Sequence, residues 1–181
     1  MKQGSRAITR IALAAATAAV LSMIPLFRMP MGGSVSLRAI PLMILALTGG
    51  AREGVMAGIV YGFIHLVTGS VFVHWAQVIL DFPLAFAGLG LAGLISFRMP
   101  EHGCRPWSAV WPVLLGFVAR FSCHLVSGAI FFAKYAPAGW DSWSYSAVYN
   151  SYYLVPEFLI TAGVVIYTPI LRQAHRLRGD Q

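Results

Sequence analysis

The chain has 181 residues, of which 58% are hydrophobic and only 10% charged, and its mean hydropathy is +0.72. A soluble domain carries about 25% charged residues, so this composition excludes a water-facing globular surface. The net charge of +7 does not point to nucleic acid, because the basic residues sit mainly at the ends of apolar segments rather than in a patch or stripe.

One domain's length and an almost continuously apolar chain predict an all-α fold, a single integral membrane bundle of six transmembrane helices over residues 1–181. A spanning helix needs about 20 apolar residues. The first span is expected over 8–27. Its apolar run is longer than a signal peptide's core of about 7–15 residues. Pro25 and Phe27 stand where a cleavage site needs small residues, so the helix is expected to be retained. It carries an AxxxA pair, Ala12 and Ala16, whose small face either packs internally or meets another membrane protein. The second span, 36–49, is short and contains Pro41; it is expected to be tilted or shielded by its neighbours. The third, 54–70, holds a doubled GxxxG at Gly54, Gly58 and Gly62, expected to pack internally. The fourth, 75–97, contains Asp81 and Pro83; the fifth is 109–132 and the sixth 149–171.

Loop charge then orients the bundle. Lys2, Arg6, Arg10, Arg52, Arg98, Arg105, Arg172, Arg176 and Arg178 make nine cations on one side, against three (Arg28, Arg38, Lys134) on the other. Cytoplasmic loops carry the excess of Lys and Arg, so both termini are expected in the cytoplasm of a multi-pass cell-membrane protein. The outer loops are then 28–35, 70–74 and 134–148. The last is rich in rings (Tyr135, Trp140, Trp143, Tyr145), which suit an interfacial belt or a site. Cys104 and Cys123 are expected to be reduced thiols without a functional role.

Charge inside a bilayer costs at least about 2.5–3.5 kcal/mol and marks function or a buried pair. Asp81, Arg120, His124 and Glu157 are such groups. At 1.5 Å per residue, Asp81, His124 and Glu157 lie about 10–12 Å below the outer ends of their spans, with Arg120 one turn below His124. They are therefore expected around one cavity, with Arg120 paired to Asp81 or Glu157. Phe82, Phe132, Tyr145, Tyr149 and Asn150 fall at the same level. A carboxylate, an imidazole, an amide and several rings suit a flat, perhaps cationic, heteroaromatic ligand. No Walker-A motif, HExxH, paired-cysteine metal spacing or GxSxG elbow occurs, so neither an ATP site nor a metal site is expected. Ser127, three residues after His124, is a weak hint of a nucleophile and base.

Four segments resemble a known family. They are Pro30-Met31-Gly32-Gly33-Ser34-Val35-Ser36-Leu37, the run 76–93 around Leu80-Asp81-Phe82-Pro83, Arg120-Phe121-Ser122-Cys123-His124-Leu125-Val126-Ser127-Gly128, and Tyr145-Ser146-Ala147-Val148-Tyr149-Asn150. Together with the AxxxA pair they resemble the thiamine-specific S components (ThiT/YuaJ family) of energy-coupling-factor (ECF) vitamin transporters. The resemblance covers nearly the whole chain. It implies thiamine held near the outer surface, with Asp81 at the family's acidic ligand-binding position and His124, Tyr145 and Asn150 at its His, Tyr and Asn contacts. Phe82 and Phe132 stand where members can carry Tyr and Trp, and Gly32-Gly33 where some carry Trp. The first two departures are expected to weaken a hydroxyl hydrogen bond and a stacking surface. Gly33 is expected at the site, and Ala12 and Ala16 at a partner interface. The implied partners are a coupling transmembrane protein and two ATPase subunits, which alone bind ATP. No cofactor and no covalent chemistry are expected. The alternatives are the same scaffold holding another vitamin or a thiamine precursor, and an intramembrane enzyme using Asp81 and His124.

Overall fold

A computed structural model of the chain describes residues 2–68, 73–95 and 106–167. Cys104, the basic stretch 98–105, the tail with Arg172, Arg176 and Arg178, and most of the 70–74 loop lie outside the described residues. The described residues form six helices: α1 (Lys2–Ser22), α2 (Ala39–Gly49), α3 (Ala51–Val67), α4 (Trp75–Leu94), α5 (Val110–Phe131) and α6 (Ser142–Tyr167). Three of them, α1, α4 and α5, are long and apolar enough to cross a membrane. Large apolar side chains point outward, among them Leu13 at 67%, Trp111 at 67% and Leu159 at 61% exposure. Such a surface is tolerable only against lipid.

The shortest helix is the most enclosed. α2 has 11 residues, about 16 Å of rise, and buries Ala39, Ile40, Leu42, Met43, Leu45 and Ala46. It packs against α1, α3, α4 and α6. Pro41 does not interrupt it. It sits in the first turn, where the missing N–H has no intrahelical partner to lose.

α3 explains the glycine repeat. A Cβ at Gly54 would lie 2.9 Å from Gly90 Cα, one at Gly62 2.6 Å from Pro83 Cα, and one at Gly58 would collide with the Phe86 carbonyl. The three glycines thus let the backbones of α3 and α4 touch, as the small-residue spacing predicts. The AxxxA pair behaves differently. Ala14, Ala15 and Ala18 turn inward, whereas Ala12 and Ala16 are exposed on the outer face of the described bundle.

Two features depart from the sequence expectation. The first helix ends at Ser22 and not at the expected 27, and a two-stranded antiparallel hairpin, β1 (Phe27–Arg28) with β2 (Ser34–Val35), takes the end of that span and the predicted loop 28–35. And α6 begins at Ser142, seven residues before the expected 149. Its N-cap is Asp141, whose carboxylate accepts the N–H groups of Trp143 at 2.9 Å and Ser144 at 3.0 Å. Hydrogen bonds from Ser144 hold this carboxyl below the usual carboxylate range.

The α3–α4 contact sets a clear test. Gly58→Ala should destabilise the protein by about 1–3 kcal/mol, since backbone cannot yield to the new methyl group. Gly163→Ala in α6, where a Cβ meets nothing within 4 Å, should be neutral or stabilising by about 0.5–1 kcal/mol. Thermal unfolding in detergent measures both.

Candidate ligand site

α4 does not run as a regular helix. Leu80–Leu84 form a π turn, in which the N–H of Ala85 bonds the carbonyl of Leu80. Pro83 lies inside it and has no N–H to give, so the ladder must widen locally. The residues that the widened turn carries are Asp81 and Phe82, and both face a cavity of about 520 Å³. That is an ordinary size for a small-molecule pocket.

Every ligand-contact residue expected from sequence lines this cavity: Gly33, Asp81, Phe82, His124, Phe132, Tyr145 and Asn150. Asp81 is its polar centre. Its Oδ1 lies 2.9 Å from His124 Nδ1, and its Oδ2 accepts from Gln77 Nε2 at 3.0 Å and Ser127 Oγ at 2.8 Å. Ser127 therefore gives its proton to a carboxylate and not to His124, so the nucleophile–base pair hinted at by their spacing does not form. Asn150 turns its amide to the chain: Nδ2 donates to the Ser146 carbonyl at 2.8 Å and the His124 carbonyl at 3.3 Å, and Oδ1 accepts from Tyr153 at 2.6 Å. It ties α6 to α5 at the level of His124.

Rings line one side of the cavity in series. Tyr145, Tyr149, Tyr153 and His124 follow one another at centroid separations of 6.0, 6.2 and 6.0 Å. The tyrosines recur every four residues on one face of α6. Tyr149 also holds the hairpin: its hydroxyl accepts the Gly33 N–H at 3.3 Å and donates to the Pro30 carbonyl. A Cβ at Gly33 would lie 2.8 Å from Tyr153 Cδ1, so the tyrosine ring takes the space a side chain there would need. Phe82, 6% exposed, lies 5.8 Å from the His65 ring, and Phe132 lies near Tyr135 at 6.2 Å.

Beneath the cavity lies a charge cluster. Glu157, fully buried, meets Arg120 Nη1 at 3.0 Å and Arg38 Nε at 3.6 Å. Of the two partners expected for Arg120, Glu157 is the one it meets. Arg38 is not the outer-loop cation expected from its position. It is 3% exposed, donates to Ser36 Oγ at 2.6 Å and to both oxygens of Ser34, and lies 3.1 Å from His65 Nε2. Arginine can only donate, so His65 Nε2 is the acceptor. Arg120 also lies 4.5 Å from the Phe86 ring centroid. Because α6 starts early, Glu157 is 15 residues into its helix, about 22 Å rather than about 12 Å deep. Among residues not singled out from sequence, Gln77, His65 and Tyr153 also line the cavity. The four-residue spacing of Tyr149 and Tyr153, and of Gln77 and Asp81, is the signal that marks two of them.

Six helices enclosing a polar, ring-lined cavity of ligand size make this a small membrane-embedded protein with a pocket for a small molecule. The model of the family described as "Thiamine transporter protein (Thia_YuaJ)" matches residues 8–177. The chain is 34% identical over 183 residues to the thiamine transporter ThiT of Bacillus subtilis (strain 168), covering 96% of this chain and 95% of that protein. It is 30% identical over 153 residues to the ThiT of Lacticaseibacillus paracasei, covering 79% and 76% respectively. The structure of ThiT from Listeria monocytogenes superposes with a TM-score of 0.81 at 26% identity, covering 97% of this chain and 98% of that one. The chain belongs to the Thia_YuaJ thiamine transporter family. It is a transport protein of the membrane and not an enzyme.

The charge cluster yields a second prediction. Glu157→Gln leaves two buried guanidiniums without their anion. Removing one member of a buried ion pair costs about 3–5 kcal/mol, so this variant should show a large loss of thermal stability and of folded yield in detergent.

Proposed function

We propose that the protein is the thiamine-binding S component of an ECF-type importer, and that the cavity around Asp81 is where it holds the vitamin. The observation that carries this reading is the meeting of the Asp81–His124 pair with the tyrosine series in one ligand-sized cavity. Thiamine is an aminopyrimidine joined to a cationic thiazolium. Its exocyclic amine suits the Asp81 carboxylate, its positive charge is offset there, and its rings find the faces of Tyr145, Tyr149 and Phe132. The relatives named above are thiamine transporters, which supports the same ligand.

The cavity lies where α1, α3 and α5 end and α2, α4 and α6 begin. This is the side with three cations against nine, so the reading puts the cavity mouth outside and both termini in the cytoplasm. Burial of Arg38 supports it, since Arg28 and Lys134 are then the exposed cations among the described residues on that side. Uptake needs an energy source that this chain lacks. A coupling transmembrane protein and two ATPases would supply it, binding ATP themselves, and the exposed Ala12 and Ala16 would let a partner helix approach closely. The protein needs no cofactor of its own.

Asp81→Asn keeps the shape of the site but removes its charge and turns an acceptor into a donor. Thiamine affinity should fall about tenfold to a hundredfold, as for loss of a hydrogen bond to a charged group. Calorimetric titration of the folded variant decides this, and unchanged affinity would take Asp81 out of the site. Replacing Ala12 and Ala16 together by Leu should leave thiamine binding intact and abolish uptake by cells. Equal loss of both would place these residues in the binding fold instead.

A further inference from the structure

We infer that Gln77 and Ser127 are positioning residues that set the specificity of the site, by fixing which oxygen of Asp81 faces a ligand. The inference rests on the cavity being the thiamine site. A carboxylate offers about four lone-pair positions. On Asp81 Oδ2, two are filled, by Gln77 Nε2 at 3.0 Å and Ser127 Oγ at 2.8 Å. On Oδ1, one is filled by His124 Nδ1 at 2.9 Å. The lone pair left for a ligand is therefore on Oδ1.

Neither positioning group is free to turn. Gln77 is 2% and Ser127 0% exposed. Gln77 Oε1 accepts the N–H of Val73 at 2.9 Å. That bond decides the orientation of the amide, so its NH₂ must face Asp81. Gln77 stands one turn before Asp81 on α4, and Ser127 comes from α5, so the carboxylate is gripped from two helices.

His124 fills the other position on Oδ1. It directs its Nδ1 proton at Asp81, and its Nε2, on the far side of the ring, is buried without a hydrogen-bond partner. The site thus presents to a ligand the free lone pair of Oδ1, an acceptor. A primary amine on an aromatic ring can donate a hydrogen to it. A carbonyl oxygen at the same place on the ligand meets only another acceptor. Without Gln77 or Ser127 the carboxylate can rotate, and this discrimination is lost.

The test is calorimetric titration of two ligands, thiamine and the analogue whose exocyclic amine is replaced by a carbonyl oxygen. The proteins are wild type, Ser127→Ala, Gln77→Met, Asp81→Ala and the Ser127→Ala/Asp81→Ala double variant. Ser127→Ala and Gln77→Met should each weaken thiamine about tenfold while changing the analogue by no more than about twofold, so the preference for the amine shrinks. In the Asp81→Ala background, adding Ser127→Ala should change thiamine affinity by less than about twofold, because its effect runs through the carboxylate. Affinity does not depend on the fraction of protein folded, so partial misfolding of a variant leaves these ratios readable. Equal weakening of both ligands, or an undiminished effect of Ser127→Ala without Asp81, would overturn the inference. If wild type binds thiamine and both single variants keep its preference, this inference alone falls. If wild type does not bind thiamine, the reading of the cavity falls first and takes the inference with it.

Discussion

The structure depends on one carboxylate, that of Glu157, shared by two arginines inside the bilayer. A buried ion pair is weak evidence for net stability, because desolvation consumes most of the attraction. Its effect here is positional. Arg38 comes from the start of α2, Arg120 from the middle of α5 and Glu157 from α6, so three helices must meet at a fixed register to satisfy one anion. Arg38 then extends the constraint to Ser34 and Ser36, and so to the hairpin over the cavity. The floor, the wall and the roof of the site are referred to a single point.

Above that floor the chemistry changes from balancing charge to presenting it. Asp81 is 15% exposed on its side chain against 0% for Glu157. One acid is enclosed by arginines and is structural. The other is held by neutral donors and a histidine, and keeps a face toward the cavity. Formally, the two arginines and two acids sum to zero, so the protein carries no charge excess at this level before a ligand enters. A cationic guest would then gain from the near carboxylate without the full repulsion of the arginines, which Glu157 already screens.

The legibility of this arrangement in the sequence follows from energetics. Asp81, Arg120, His124 and Glu157 stand out because a charge in an apolar run is costly and so carries information. Gln77, Ser127 and Tyr153 do not, because uncharged polar groups and rings are common in membrane helices and their meaning lies in partners from other helices. The glycine repeat was readable as close packing, but the partner of Arg120 was not, since two acids lay at similar expected depths. Glu157 lies deeper than hydropathy places it, because hydropathy does not mark the start of α6. The actual start is a capping event at Asp141, in a polar, tyrosine-rich turn that hydropathy reads as loop. The hairpin was illegible because two-residue strands leave no periodicity. The family resemblance, carried by whole segments, added Gly33 to the lining residues that depth along the spans already puts at one level.

The truncation of α2 has a consequence for the shape of the site. A hydrocarbon core is about 30 Å thick, and a helix of 11 residues rises only about 16 Å. In the middle of the bundle, then, one column of side chains stops halfway. Its five longer neighbours continue past it, and the volume they enclose has no helix to fill it. Arg38, at the blunt end of α2, is where the column stops and the cavity begins. Extending α2 by two turns would plug the site as surely as any ligand, so in this fold the room for a guest is created by an absence, the missing half of one helix.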